Sequence, residues 1–229
     1  MSNIAAIEDL ALSEGGVFTT AQATRLGIPR DALAYAARVG RIERIAQGAY
    51  RLAASEDDGL DDLRAIWKLT APGAFSHERM AACGWDGIAV CGPTAAHVLG
   101  IGDFYASPYH IVTPRRINSR RPDVRFVRAD VARDEVLWRD GLPVMRPEAA
   151  IASLVRGKED PSLVADAFVD AVRRYGAASL DIGRLEELLG ERAFSKLIGD
   201  AGVRPGGSRS IVRLDGLGHV ALLEGTGDE

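Results

Sequence analysis

The side chains from which active sites are assembled are few and poorly spaced. Four histidines, His77, His97, His110 and His219, are scattered along 229 residues. Cys83 and Cys91 have no histidine close by, which is poor spacing for a tetrahedral zinc site. His77-Glu78 is not followed by the second histidine of a helical zinc motif. There is no Gly-x-x-x-x-Gly-Lys phosphate loop and no Gly-x-Gly-x-x-Gly after a strand. A restriction-type nuclease needs an acid two residues before a lysine. The residues two before Lys68, Lys158 and Lys196 are Ile66, Arg156 and Phe194. The acids between Glu56 and Asp62 read as solvated charge in a linker rather than as ligands. These absences predict no catalytic residue, no metal site and no cofactor.

Arginine is the abundant reactive type, with 3 Lys among the 28 basic residues and a formal net charge of −4. The charge is uneven. Residues 15–52 hold six Arg against Asp31 and Glu43. Residues 115–128 hold another six, Arg115, Arg116, Arg120, Arg121, Arg125 and Arg128, against Asp123. Residues 148–229 carry ten basic and fourteen acidic residues. An acidic chain with local basic stretches can still hold a polyanion, because the nearby field is set locally. The 115–128 run equally suits a solvated face.

Turn and capping signals divide the chain around these arginines. Ile4, Ile7, Leu10 and Ala11 predict a first helix, ended by Gly15-Gly16. After an extended link at 17–19, Thr20 can cap a helix over 21–26, closed by Gly27. A third helix is predicted over 29–39, with Ile28, Ala32, Leu33, Ala36 and Val39 toward a core. Strand-like pieces at 41–46 and 49–52 flank Gln47-Gly48, a hairpin signal. This order predicts a winged helix-turn-helix over 1–52. Residues 53–60 read as an acidic linker that few contacts should cross. Residues 61–229 read as a mixed α/β domain: strands near 88–91, 109–113, 124–127 and 142–145, several helices, and a terminal hairpin of 210–214 with 219–223. The fold class expected is α+β.

In a helix-turn-helix the outward face of the third helix enters the major groove, where arginine bonds guanine. Arg30, Tyr35 and Arg38 lie on that face. Arg41 and Arg44 begin the hairpin, where a wing meets phosphates. Thr19, Thr20 and Arg25 flank the second helix, whose N-terminal amides can touch the backbone. Arg115, Arg116, Arg120 and Arg121 are candidates for further phosphate contacts. The alternative is a winged fold packed against protein.

A resemblance rests on particular residues. Gly16-Val17-Phe18-Thr19-Thr20-Ala21-Gln22-Ala23, Leu26-Gly27-Ile28 and the run Arg38 to Leu52 resemble the N-terminal domain of the AbiEi antitoxins. The run closes on Gly40-Arg41-Ile42-Glu43-Arg44-Ile45-Ala46-Gln47-Gly48-Ala49-Tyr50-Arg51-Leu52, the most specific part. Ala89–Ile101, Tyr109–Arg116 and Gly141–Ala150 are similar to later segments of the family, with Cys91-Gly92 where it often has Ser-His. The resemblance implies an antitoxin of a type IV toxin–antitoxin or phage-defence module. Such a protein represses its own promoter on double-stranded DNA, neutralises a nucleotidyltransferase-like toxin and is not an enzyme. The alternatives are a plain winged-helix regulator whose second domain senses a ligand, and a DNA-modifying protein with a reduced active site, which the missing constellations argue against. With no run of roughly 18 apolar residues and no signal-like start, no membrane partner is expected and the expected location is cytoplasmic.

Overall fold

The computed structural model describes residues 2–56, 58–176, 180–202, 210–214 and 220–224. Helix α1 (Asn3–Ser13) starts on Ser2, whose hydroxyl accepts the Ala5 amide, and buries Ile7, Leu10 and Ala11. Strand β1 (Val17–Thr19), helices α2 (Thr20–Arg25) and α3 (Arg30–Arg38), and strands β2 (Ile42–Ala46) and β3 (Ala49–Leu52) follow. The strands pair antiparallel in the order β1-β3-β2, so the link expected at 17–19 is a strand of the sheet. Ile7, Leu10, Phe18, Ala23, Ile28, Leu33, Ala36 and Ile42 form one core. The result is a winged helix-turn-helix.

Two local expectations are corrected. Thr19, not Thr20, caps α2: its hydroxyl accepts the Gln22 amide while the Gln22 side chain accepts the Thr19 amide. Val39 is 45% exposed rather than in the core. Helix α3 stops at Arg38, and Gly40, at φ +74°, turns the chain so that the Arg41 amide reaches the Ala36 carbonyl.

The second part opens with α4 (Asp61–Leu69) and the short α5 (Ser76–Met80). Strands β4 (Ala89–Val90), β5 (Tyr109–Thr113), β6 (Val124–Arg128), β7 (Val136–Arg139) and β8 (Leu142–Met145) form a mixed sheet in the order β6-β5-β4-β8-β7. Strand β4 runs parallel to β8, and β5 parallel to β6. Helix α6 (Gly92–Leu99) follows β4, while α7 (Pro147–Gly157), α8 (Pro161–Tyr175), α9 (Ile182–Leu189) and α10 (Glu191–Asp200) follow β8. Strands β9 (Ser210–Leu214) and β10 (Val220–Glu224) form an antiparallel pair; His219 lies outside the described residues. The fold is α+β.

Contacts across the acidic segment were expected to be few; they are extensive. Ala65 of α4 packs against Val17 and Ala49 on the winged sheet. Lys68 Nζ donates to Glu14 Oε2 at 2.6 Å, with both side chains buried. The same carboxylate accepts the Gln22 side-chain amide at 2.8 Å and the Ser76 hydroxyl at 2.7 Å. Nor are the acids solvated linker charge: Asp58 and Asp61 both accept from the buried Arg64, at 2.5–2.9 Å. The reason is size. A winged domain of about 50 residues cannot bury both sheet faces alone, and α4 covers the one its own helices leave open.

Candidate nucleic-acid interface

Burial sorts the arginines of the winged part. Helix α3 turns Ala32, Leu33 and Ala36 inward, which leaves Arg30, Asp31, Ala34, Tyr35 and Arg38 in solvent. The Arg38 guanidinium lies 5.5 Å from the centre of the Tyr35 ring, so cation and ring share one patch. Arg41 and Arg44 are exposed at the start of the wing. Arg41 is 3.7 Å from Glu8, a loose and screened contact, and Arg44 makes one long bond to the Ala46 carbonyl at 3.4 Å. A groove of about 680 Å³ between Ser2–Ile4 of α1 and Asp31, Ala34, Tyr35 and Arg38 of α3 runs beside this face.

Of the contacts expected at the second helix, Thr19 is buried, Thr20 is half-buried and Arg25 is exposed but ion-paired. Thr19 is fully buried, and its hydroxyl donates to the Pro72 carbonyl at 2.5 Å. Thr20 gives its amide to the Gly48 carbonyl. The start of α2 is thus occupied by the molecule itself. Arg25 makes two 2.8 Å bonds to the Glu78 carboxylate, donates to the Gly73 carbonyl and stacks on Phe75 at 4.5 Å. Those bonds hold the Glu78 carboxyl down at about 2. Arg25 joins α2 to α5, with its charge matched. Arg51 is likewise tied to Glu43 and Asp61.

Four arginines of the second cluster, Arg115, Arg116, Arg120 and Arg121, lie on the loop between β5 and β6, and Arg125 and Arg128 lie on β6 itself. Arg115 donates to the Thr70 carbonyl at 3.1 Å, at the end of α4. The turn that follows, through Pro72 and Gly73, is the one that holds Thr19 and Arg25. The loop thereby borders the α2 side of the winged part. Arg116 bonds Asn118, Arg120 is exposed, and Arg121 is paired with Asp123 at 2.6 Å.

Residues 5–53 match the family of AbiEi antitoxin transcriptional regulators. The AbiEi match runs from within α1 through β3, nearly the whole winged helix-turn-helix, and stops where the acidic segment begins. It bears out the resemblance read from Gly16 to Leu52 and reaches ten residues or so further toward the N-terminus. None of the curated proteins matches the sequence. Among solved structures, the crystal structure of RV2827C protein from Mycobacterium tuberculosis is similar in fold, with a TM-score of 0.54 at 18% identity. The similarity covers 96% of this chain and 90% of that one, so it extends over both parts.

Sequence reasoning missed the Glu14–Lys68–Gln22–Ser76 network, because its members come from four separate elements. Among the described residues no group of three or more His, Cys, Asp or Glu could hold a metal ion. Among the described helices none is long and apolar enough to cross a membrane.

Proposed function

We propose that the protein is a DNA-binding antitoxin that represses its own promoter and neutralises a nucleotidyltransferase-like toxin. The observation that carries this reading is the exposed set Arg30, Tyr35 and Arg38 on α3, beside Arg41 and Arg44 on the wing, in the segment that matches the AbiEi family. A helix of this kind places such side chains against base edges, and a wing places its cations on phosphates. Arg115, Arg116 and Arg120 extend the phosphate contacts from the second part, with Arg121 contributing less because Asp123 neutralises it. Thr19, Thr20 and Arg25 are left out. The second part, from α4 onward, carries neutralisation; the acidic balance of 148–229 suits a basic protein partner. Such a protein works in the cytoplasm, beside the DNA it controls.

Two measurements in cells test the reading. A reporter driven by the upstream region should be repressed by the full chain and released by Arg30→Ala/Arg38→Ala. Co-expression with the adjacent gene should restore growth with the wild type and with that variant alike. An adjacent gene without toxicity would remove the antitoxin half, and repression untouched by the variant would remove the assignment to α3.

A further inference from the structure

Helices α6 and α7 leave part of the large sheet uncovered at its β5–β6 edge. A cavity of about 600 Å³ opens there, well within the size of small-molecule sites. The strand register decides what it presents. His110 pairs with Arg125, and Val112 with Val127, so the four side chains share a face, and all line the cavity. Cys91, Gly92 and Pro93, where β4 runs into α6, form a second side. Ser153 and Arg156 of α7, with Glu159 just beyond its end, form a third.

The lining has two chemistries. Val112, Val127 and Met145 offer an apolar surface. Arg125 and Arg156 offer two cations against one acid, Glu159. Arg125 is exposed, whereas Arg156 also donates to the Leu188 carbonyl at 2.6 Å. The Nδ1 atom of His110 is buried without a hydrogen-bond partner. Burial lowers the His110 pKa and so favours its neutral form. Burial also pushes the Cys91 thiol up to about 12, so it is an inert wall and not a nucleophile.

We propose that this cavity binds a small organic acid, with an apolar body against Val112, Val127 and Met145 and a carboxylate or phosphate held by Arg125 and Arg156. The proposal is independent of DNA binding, because the cavity is lined by residues beyond 90 and the AbiEi match ends at 53.

Calorimetric titration of the full-length protein tests it, with hexanoate and phenyl phosphate as probes and hexylamine as the cationic control. One of the two acids should bind saturably at one site and shift the His110 imidazole signals in NMR; which of them does so separates a carboxylate from a phosphate ligand. Arg125→Gln should weaken that binding about tenfold, as expected for one charge-assisted hydrogen bond. Arg125→Glu should abolish it. Since Arg125 is exposed, both variants keep the fold. The proposal is overturned if neither acid binds at millimolar concentration, if Arg125→Gln binds as well as the wild type, or if hexylamine binds equally.

Discussion

Arg25 and Arg38 end successive helices of the winged part and carry the same charge, yet their surroundings give them different work. Arg38 sits over Tyr35 on an exposed face, whereas Arg25 is held by a carboxylate 53 residues further along the chain. That separation is why Arg25 read as an interface residue: spacing reports neighbours on one helix, not partners brought in by the fold. The pairing has a titration signature. The Glu78 carboxyl is depressed from its ordinary 4.5 to about 2, chiefly by the hydrogen bonds from Arg25. A depressed carboxyl contributes stability that is present above its unfolded value and lost as pH falls through its folded value. The α2–α5 joint should therefore hold at pH 5 and let go between about 4.5 and 2. Carboxyl NMR should give Glu78 a midpoint near 2, moving up toward the ordinary value in Arg25→Ala but stopping below it, because the Phe75 amide still donates to Glu78. A midpoint that stays put in that variant would show that Arg25 is not the cause.

At the scale of elements, turns and apolar periodicity were legible and long-range pairing was not. Strand β7 was missed although its signal was present. Asp140-Gly141 lies between Val136–Arg139 and Leu142–Met145, and both turn residues have positive φ, +50° and +76°. That is the hairpin signature of an Asp-Gly pair. The Asp140 carbonyl also accepts from Arg64 at 2.8 Å, which ties the hairpin to α4. Replacing Gly141 with alanine should destabilise the protein by at least about 1–2 kcal/mol, because the left-handed backbone disfavours a Cβ and that Cβ would lie 3.3 Å from Arg64 Nε. Urea unfolding would measure it; an unchanged midpoint would mean that the turn relaxes to another type. Helix α4 carries Arg64 and Lys68, charged types that usually face solvent. Arg64 and Lys68 are instead buried, because α4 is covered on the winged side as well as on the side of the large sheet. Removing Lys68 leaves Glu14 a buried carboxylate without a cation, held only by the neutral donors Gln22 and Ser76. Lys68→Met should destabilise by about 3–5 kcal/mol, and the double change Glu14→Leu/Lys68→Met should recover part of that loss, short of the wild type because the Gln22 and Ser76 donors lose their acceptor. If the single variant were as stable as the wild type, the buried pair would not be holding the two parts together.

Over the whole molecule, the winged part and the large sheet are fastened to each other through α4, Glu14 and the turn at 70–75. Arginines of the second part therefore keep a fixed position relative to α3. If the β5–β6 loop lies along the same duplex, each phosphate contact adds about one to the salt slope of binding. Arg116→Ala/Arg120→Ala should thus flatten the dependence of affinity on salt by about 2 and weaken all sequences alike. An unchanged slope would make the loop a solvated face. The most direct measurement of the central claim is fluorescence anisotropy of the full-length protein with a duplex from its own upstream region, against a scrambled duplex of equal length. The wild type should prefer its own DNA, and Arg30→Ala and Arg38→Ala should each cost about 1–3 kcal/mol on that DNA while leaving the scrambled duplex nearly unaffected. Equal affinity for both duplexes, or a double variant that binds its own DNA as tightly as the wild type, would contradict the account.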